Sequence, residues 1–287
     1  MVRLASFDAG HGREIGAVVD RAMVPLSRLI EGLGTDMRML IALWDRWQEP
    51  VRAAAAGAQT ALHLDALRLL APIARPGKIM AIGLNYADHI AESGLVAPER
   101  QVWFAKMATA INDPHGDIIL APVPDTHVDY EVELVAVIGR GGRRIAAAEA
   151  PATVFGWCVG NDVTERAWQH ATPQWTLGKS FDTHAPVGPW ITTADSVVEP
   201  HALDIWLSVN SERRQVSNTR HLVFDVWQQI EHLSQAMTLE PGDLIFTGTP
   251  GGVGAAMTPM QFLADGDVVR AEIAELGAIE NRCVAHG

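Results

Sequence analysis

From Lys78 onward the chain is a succession of short apolar runs cut by glycine and proline. Such a pattern favours many short strands and leaves no room for a doubly wound sheet, whose strands alternate with long helices. Strands are expected at Ile79 to Ile82, Tyr130 to Ile138, Gly156 to Asn161, Leu203 to Val209, Leu244 to Phe246 and Val268 to Glu275. One amphipathic helix stands out among them, marked by Val226, Ile230, Leu233 and Met237 and ended by the turn Pro241-Gly242-Asp243. Ahead of Lys78 the pattern differs. Leu4 to Phe7, Gly16 to Val19 and Met23 to Leu26, with a tight reversal at Asp20-Arg21, read as a small antiparallel meander. Thr35 is placed to cap a helix carrying Met39, Leu40, Leu43, Trp44 and Trp47, which Pro50 stops or restarts, and the alanine-rich Val51 to Ala61 stretch is a helix or linker. The expected division is a small N-terminal lobe over 1–71 and a main domain over 72–287.

Composition narrows the function classes. At 287 residues and 48% hydrophobic, the chain can bury a full core. Its longest apolar stretches, Leu69 to Ile73 and Leu134 to Ile138, fall far short of the roughly 20 residues that span a bilayer. No secretory signal is readable in MVRLASFDAG, so the expected compartment is the cytoplasm, with no membrane partner. A net charge of −12 repels phosphate backbones and argues against nucleic acid, although a bound metal ion can reverse the sign locally for an anionic substrate. Cys158 and Cys283 form no CxxC pair and read as buried reduced thiols. No GxGxxG follows a strand, which disfavours a dehydrogenase.

The chemistry-bearing residues fall in separate segments. DYEVELVAVIG sets Glu131 and Glu133 two apart in an apolar strand, and a period of two sends both to one face. Two like charges side by side call for a fully solvated face or for a cation between them. At Asn161-Asp162 an apolar run gives way to VTERAWQH, where Asp162 as N-cap would share a helix face with Arg166 and Gln169 at i+4 and i+7. The alternative there is a capped helix with a surface ion pair. In GLNYADHIAES, His89 and Glu92 are i, i+3 neighbours on a short helix, either an exposed pair or an imidazole whose basicity a carboxylate raises for water activation. Lys179, in a turn-rich stretch before a buried strand, is exposed or projects into a cleft. Thr247, Gly248, Thr249 and the glycines after them form either a bare turn or a place where backbone amides approach an anion.

Taken in order, these pieces resemble the fumarylacetoacetate hydrolase family from about Pro76 to Asn281, through PGKIMAIGLNYADH, the Phe104 to Lys106 stretch, DYEVELVAVIG, GNDVTERAWQ, GKSFDT, LEPGDLIFTGTPGGVG and LADGDVVRAEIAELGAIEN. The resemblance implies a β-rich α+β fold, the mixed β-sandwich roll of the family's C-terminal domain, carrying the small N-terminal α/β lobe and assembled as a homodimer. It implies Mg2+ or Mn2+ held by Glu131, Glu133 and Asp162. Arg166 and Gln169 then grip the carboxylate and oxo groups of a small 2-oxo acid, with Tyr86, Gly248 and Thr249 as further substrate contacts. Lys179 stabilises enolate charge, and His89 with Glu92 forms a water-activating dyad on a lid covering Tyr86 to Gly94.

The long tyrosine-pathway members add a metal carboxylate upstream of the histidine. KIMAIG has none here, so water is expected to complete the shell. The N-terminal lobe resembles the short type of bacterial acylpyruvate and sugar-acid members, which points away from fumarylacetoacetate itself; aromatic catabolism is the expected setting. Hydrolysis of a carbon–carbon bond in an acylpyruvate or related 2,4-dioxo acid ranks first, and isomerase or decarboxylase action on an unsaturated 2-hydroxy or 2-oxo diacid or oxaloacetate second. A catalytically silent metal-binding scaffold is a third reading, against which stand the intact dyad and lysine.

Overall fold

A computed structural model describes residues 2–57, 61–93, 98–123 and 126–286. At its centre the strand Val132–Ile138 lies antiparallel between Val154–Asn161 and Leu244–Phe246. Beyond Leu244–Phe246 come Ile79–Gly83, in parallel, and then Val102–Lys106. On the other side Ala185–Thr193 pairs with Val154–Asn161, and Arg3–Asp8 pairs with Ala185–Thr193 through Arg3 and Thr192. The N-terminal meander Arg3–Asp8, Arg13–Val19, Ala22–Val24 therefore continues the same mixed sheet. A second, five-stranded sheet runs Glu212–Asn218, Asp204–Val209, Val268–Ile273, Gly277–Val284, Ile118–Ile119.

Every residue of Val132–Ile138 is buried, because both faces of the strand are covered. Val132, Leu134, Ala136 and Ile138 enter one core with Ile205, Leu207, Val269 and Ile273 of the second sheet. Val135 and Val137 enter the other, with Leu40, Ile41, Trp47 and Val51 of the N-terminal helices. Strict alternation between two cores is what a strand buried on both sides requires. The β-rich α+β class expected from the sequence is the class observed.

Several local expectations change. Asp36 rather than Thr35 caps the first long helix, its carboxylate accepting from Arg38 N at 2.9 Å. The helix breaks at Leu43 into Met37–Ala42 and Trp44–Ala56, with Pro50 inside the second piece. That break rotates the apolar stripe, so Met37, Leu40, Ile41, Trp47 and Val51 are buried while Met39 and Leu43 face outward. The alanine-rich stretch is helical to Ala56, and residues 58–60 lie outside the described residues. Val226–Ala236 opens with an Asp225–Gln228 capping box and ends at extended Met237, four residues before the Pro241 turn. Glu212–Asn218 carries too many charges to announce itself as a strand. Among the described residues no helix is long and apolar enough to cross a membrane.

Candidate active site

Glu133 projects from the central strand and Glu131 stands just before it, while Asp162 stands just past the end of Val154–Asn161. Antiparallel register sets the start of one strand beside the end of the other, with Val132 opposite Asn161. The crossing is fastened by Asp162 N donating to Glu131 O at 2.8 Å and by Glu131 N donating to Asn161 Oδ1 at 2.9 Å. As a result one oxygen of each of Glu131, Glu133 and Asp162 lies within 4.8 Å of the others, and all three residues are buried. The period-of-two reading of the two glutamates holds in this geometry. The N-cap reading of Asp162 does not: Glu165 caps the helix Arg166–His170, accepting from Ala167 N at 3.1 Å. The intervening Thr164–Glu165 is extended because it pairs with Val128–Asp129. Arg166 nevertheless reaches the cluster, 2.7 Å from Glu131 Oε1, and donates to Gln169 Oε1 at 3.0 Å.

Two buried lysines complete the floor. Lys179 Nζ stands 2.7 Å from Glu131 Oε2 and 2.6 Å from Asp162 Oδ2, so of its two sequence readings the inward one applies. Lys106 Nζ takes the other oxygen of Asp162 at 2.6 Å. Burial pushes the Lys106 ammonium down from its ordinary pKa. Burial acts on Lys179 in the same sense, but Asp162 and Glu131 outweigh it and hold that group above its ordinary value. Glu131 balances the other way: burial pushes it up, and Lys179 and Arg166 bring it below the usual carboxylate range. Glu133 forms no ion pair among the described residues, and Lys179 offsets its burial only in part. It accepts Gly248 N at 2.7 Å, and burial, then Asp162 and Glu131, drive its carboxyl well above the usual range. A buried carboxylate stays ionised only beside compensating positive charge. All the donors are hard oxygens, so the set fits a hard divalent cation such as Mg2+ or Mn2+.

The dyad lies on the helix Ala87–Ser93. His89 Nδ1 is 3.0 Å from Glu92 Oε1, an arrangement that assigns the proton to Nδ1 and leaves Nε2 free to act as a base. Glu92 Oε2 accepts Gly252 N at 2.8 Å, and Asp88 Oδ2 accepts Ser217 Oγ at 2.8 Å, so two polar contacts seat the helix. His89, Glu92, Glu131, Glu133, Arg166, Gln169, Lys179 and Thr249 all line one cavity of about 410 Å³. Its remaining wall includes Ile82, Leu84, Phe104, Trp175 and Val253, with His170 beside Arg166. Burial, then Arg166, lowers the His170 pKa.

Two expected substrate contacts are placed elsewhere. Tyr86 is fully buried, its hydroxyl has no partner among the described residues, and it does not line the cavity. Gly248 gives its N–H to Glu133, at a φ of 103° and with Asn85 Cβ 2.7 Å from where a side chain would begin, so only glycine fits. Gly94, the expected end of the lid, lies outside the described residues. Sequence reasoning missed Lys106 and Asp129. Asp129 was findable, since it continues the alternation of Glu131 and Glu133 by one step of two. A lysine at the end of the Val102–Lys106 strand gives no comparable signal.

Comparison with known proteins places the chain in a family. Residues 78–284 match the family model described as fumarylacetoacetate (FAA) hydrolase C-terminal. A bovine mitochondrial oxaloacetate tautomerase is 46% identical over 82% of this chain and 75% of its own length. A human one is 39% identical over 99% of this chain and 92% of its own. Among solved structures, maleylpyruvate hydrolase from a Sphingobium species, in complex with manganese(II) and pyruvate, superposes with a TM-score of 0.84 at 33% identity, covering 99% of this chain and 100% of that one.

Proposed function

The chain belongs to the fumarylacetoacetate hydrolase family, and from that premise we propose that it is a divalent-cation-dependent enzyme moving a proton at the carbon beside the oxo group of a small 2-oxo acid, interconverting the keto and enol forms of an oxaloacetate-like diacid. The observation that carries the reading is a base, His89 Nε2, on the wall of the same cavity that Glu131, Glu133, Arg166 and Lys179 line, with Asp162 and Lys106 bonded in behind Lys179. Mg2+ or Mn2+ on Glu131, Glu133 and Asp162 would supply Lewis-acid polarisation of the substrate's carboxylate and oxo oxygens. Arg166 offers the substrate carboxylate directional N–H groups, and the Gln169 amide beside it can meet the oxo group. In the keto-to-enol direction His89 Nε2 takes the proton from the adjacent carbon, the C–H electron pair becomes the C=C bond, and the imidazolium delivers the proton to the former oxo oxygen; the reverse reaction retraces these steps, and Glu92 stabilises the imidazolium between them. Lys179 donates to the oxygen on which charge develops. The apolar wall excludes water and strengthens each of these interactions. The homodimer, and the division at residue 71, belong to this proposal as well.

Carbon–carbon hydrolysis of an acylpyruvate, the first expectation from the sequence, becomes the second reading. The same dyad can deprotonate a water, and the maleylpyruvate hydrolase relative favours it. Higher identity to the tautomerases, 39% against 33%, ranks proton transfer ahead of it. The deciding assay follows loss of the enol absorbance of oxaloacetate, and pyruvate release from acylpyruvates, with Mg2+ or Mn2+ present. Acceleration of the first supports the proposal; hydrolysis without tautomerisation replaces it with the second reading.

A further inference from the structure

Asp129 is fully buried and does not line the cavity, yet it ties together two parts of the site that are distant in sequence. Its Oδ2 accepts Arg166 Nε at 2.9 Å and Nη2 at 2.7 Å, together with Ala255 N at 3.0 Å. Its Oδ1 accepts Gly254 N at 2.8 Å and Tyr130 N at 2.9 Å. A Cβ on Gly254 would begin 2.8 Å from that Oδ1, so this close approach requires glycine. Three residues or fewer along the same loop, Gly252 N holds Glu92, the partner of His89. The bonds therefore run without interruption of the loop from the imidazole to the guanidinium: His89, Glu92, the 252–255 backbone, Asp129, Arg166.

The guanidinium has two carboxylate partners of different standing. Glu131 belongs to the cation-binding floor and shares its charge with Lys179, whereas among the described residues Asp129 bonds the guanidinium and backbone N–H groups only. Asp129 holds the inner edge, Nε and Nη2, and Nη1 is directed to Gln169 on the cavity wall. We infer that Asp129 is a positioning residue that keeps the Arg166 guanidinium and the seat of the His89–Glu92 pair in register, so that the group gripping the substrate and the group moving its proton are set by one carboxylate. The inference rests on Arg166 as the substrate-gripping residue of the proposed function.

Asp129→Asn keeps the shape and removes the charge. Calorimetric titration with oxalate at saturating Mg2+ should show affinity lower by about 10²-fold, the scale of a small misplacement in an organised site. The same substitution should change affinity little when Arg166 is already Gln. Hydrogen exchange without ligand should quicken at 87–93 and 252–256 in the Asp129→Asn protein while 132–138 keeps its protection. A purely structural role predicts equal losses in both Arg166 backgrounds and quickened exchange throughout, and either result overturns the inference. Should Asp129→Asn fail to fold, Arg166→Gln alone must quicken exchange at 252–256 and 87–93; unchanged exchange there overturns it equally. Absence of oxalate binding in the unsubstituted enzyme would instead count against the functional reading, with the exchange experiment still judging Asp129.

Discussion

Glu133 and Asp162, with 1% and 0% of their surface exposed, stand at the ends of strands in which every residue is buried. The His89 and Glu92 side chains, at 15% and 28%, ride on a seven-residue helix seated through Ser217 and Gly252. The floor assembles like charges that water would otherwise keep apart, and only a framework fixed on both faces can hold them at that desolvation cost. A proton carrier has a different requirement, since it must meet solvent or substrate and change charge, and a few polar contacts suffice to aim it. Local stability should follow the same division.

The most severe way to break the comparison is to disable the floor alone. Removal of metal with EDTA should abolish turnover and readdition of Mg2+ or Mn2+ restore it, and Glu131→Gln should abolish calorimetric Mg2+ binding. Full turnover of metal-free protein would show that the floor is not a cation site. Next in size is the perched half. His89→Ala should lower keto–enol turnover by about 10²–10⁴-fold, the usual worth of general-base catalysis, with Mg2+ affinity unchanged. Any oxaloacetate decarboxylation the enzyme performs should survive this change far better, because it needs the floor and Lys179 rather than a base. Parallel losses would mean that the two halves do not act separately.

The third prediction concerns the underside of the floor. His184 is buried, its Nε2 3.0 Å from Ile119 O, and burial followed by Lys106 brings its pKa from 6.5 down to about 4. The unfolded chain then takes up a proton at higher pH than the native one, so stability is intact above about pH 6.5 and declines as pH falls toward 4. The loss attributable to this residue is at most roughly 3 kcal/mol. Denaturant titrations across that window should show the decline, and His184→Asn should flatten it; an unchanged slope would remove His184 as its source. The smallest effect is expected at Gly248, where Ala would meet the Asn85 side chain at a φ of 103°. A destabilisation of roughly 1–3 kcal/mol should appear as a lower melting temperature, with weaker Mg2+ binding as the N–H of residue 248 leaves Glu133. Wild-type Mg2+ affinity in that variant would show that this hydrogen bond does not orient the ligand.

What could be read from the chain alone follows the range of the interaction concerned. The same-face placement of Glu131 and Glu133, the i, i+3 pairing of His89 with Glu92 and the helix beginning at Val226 rest on periodicities of two and 3.6, which neighbouring residues settle among themselves. The cap at Asp36 and the break at Leu43 escaped that reading, because packing against the sheet overrides a single helical stripe. The helix assigned to Asp162 gave way to a short strand for a similar reason: Thr164–Glu165 pairs with Val128–Asp129. Which of the two readings of Lys179 holds, the part played by Lys106 and the partners of Asp129 were decided by tertiary structure. A lysine is stable in the interior only where carboxylates from other elements offset its desolvation, and Asp162 meets Lys106 from 56 residues away and Lys179 from 17. Asp129 is likewise an ordinary strand residue until folding brings Arg166 and the amides of Gly254 and Ala255 to it from 37, 125 and 126 residues away. Local order was written in the spacing of side chains, whereas the balance of buried charge exists only once distant segments share one low-dielectric space.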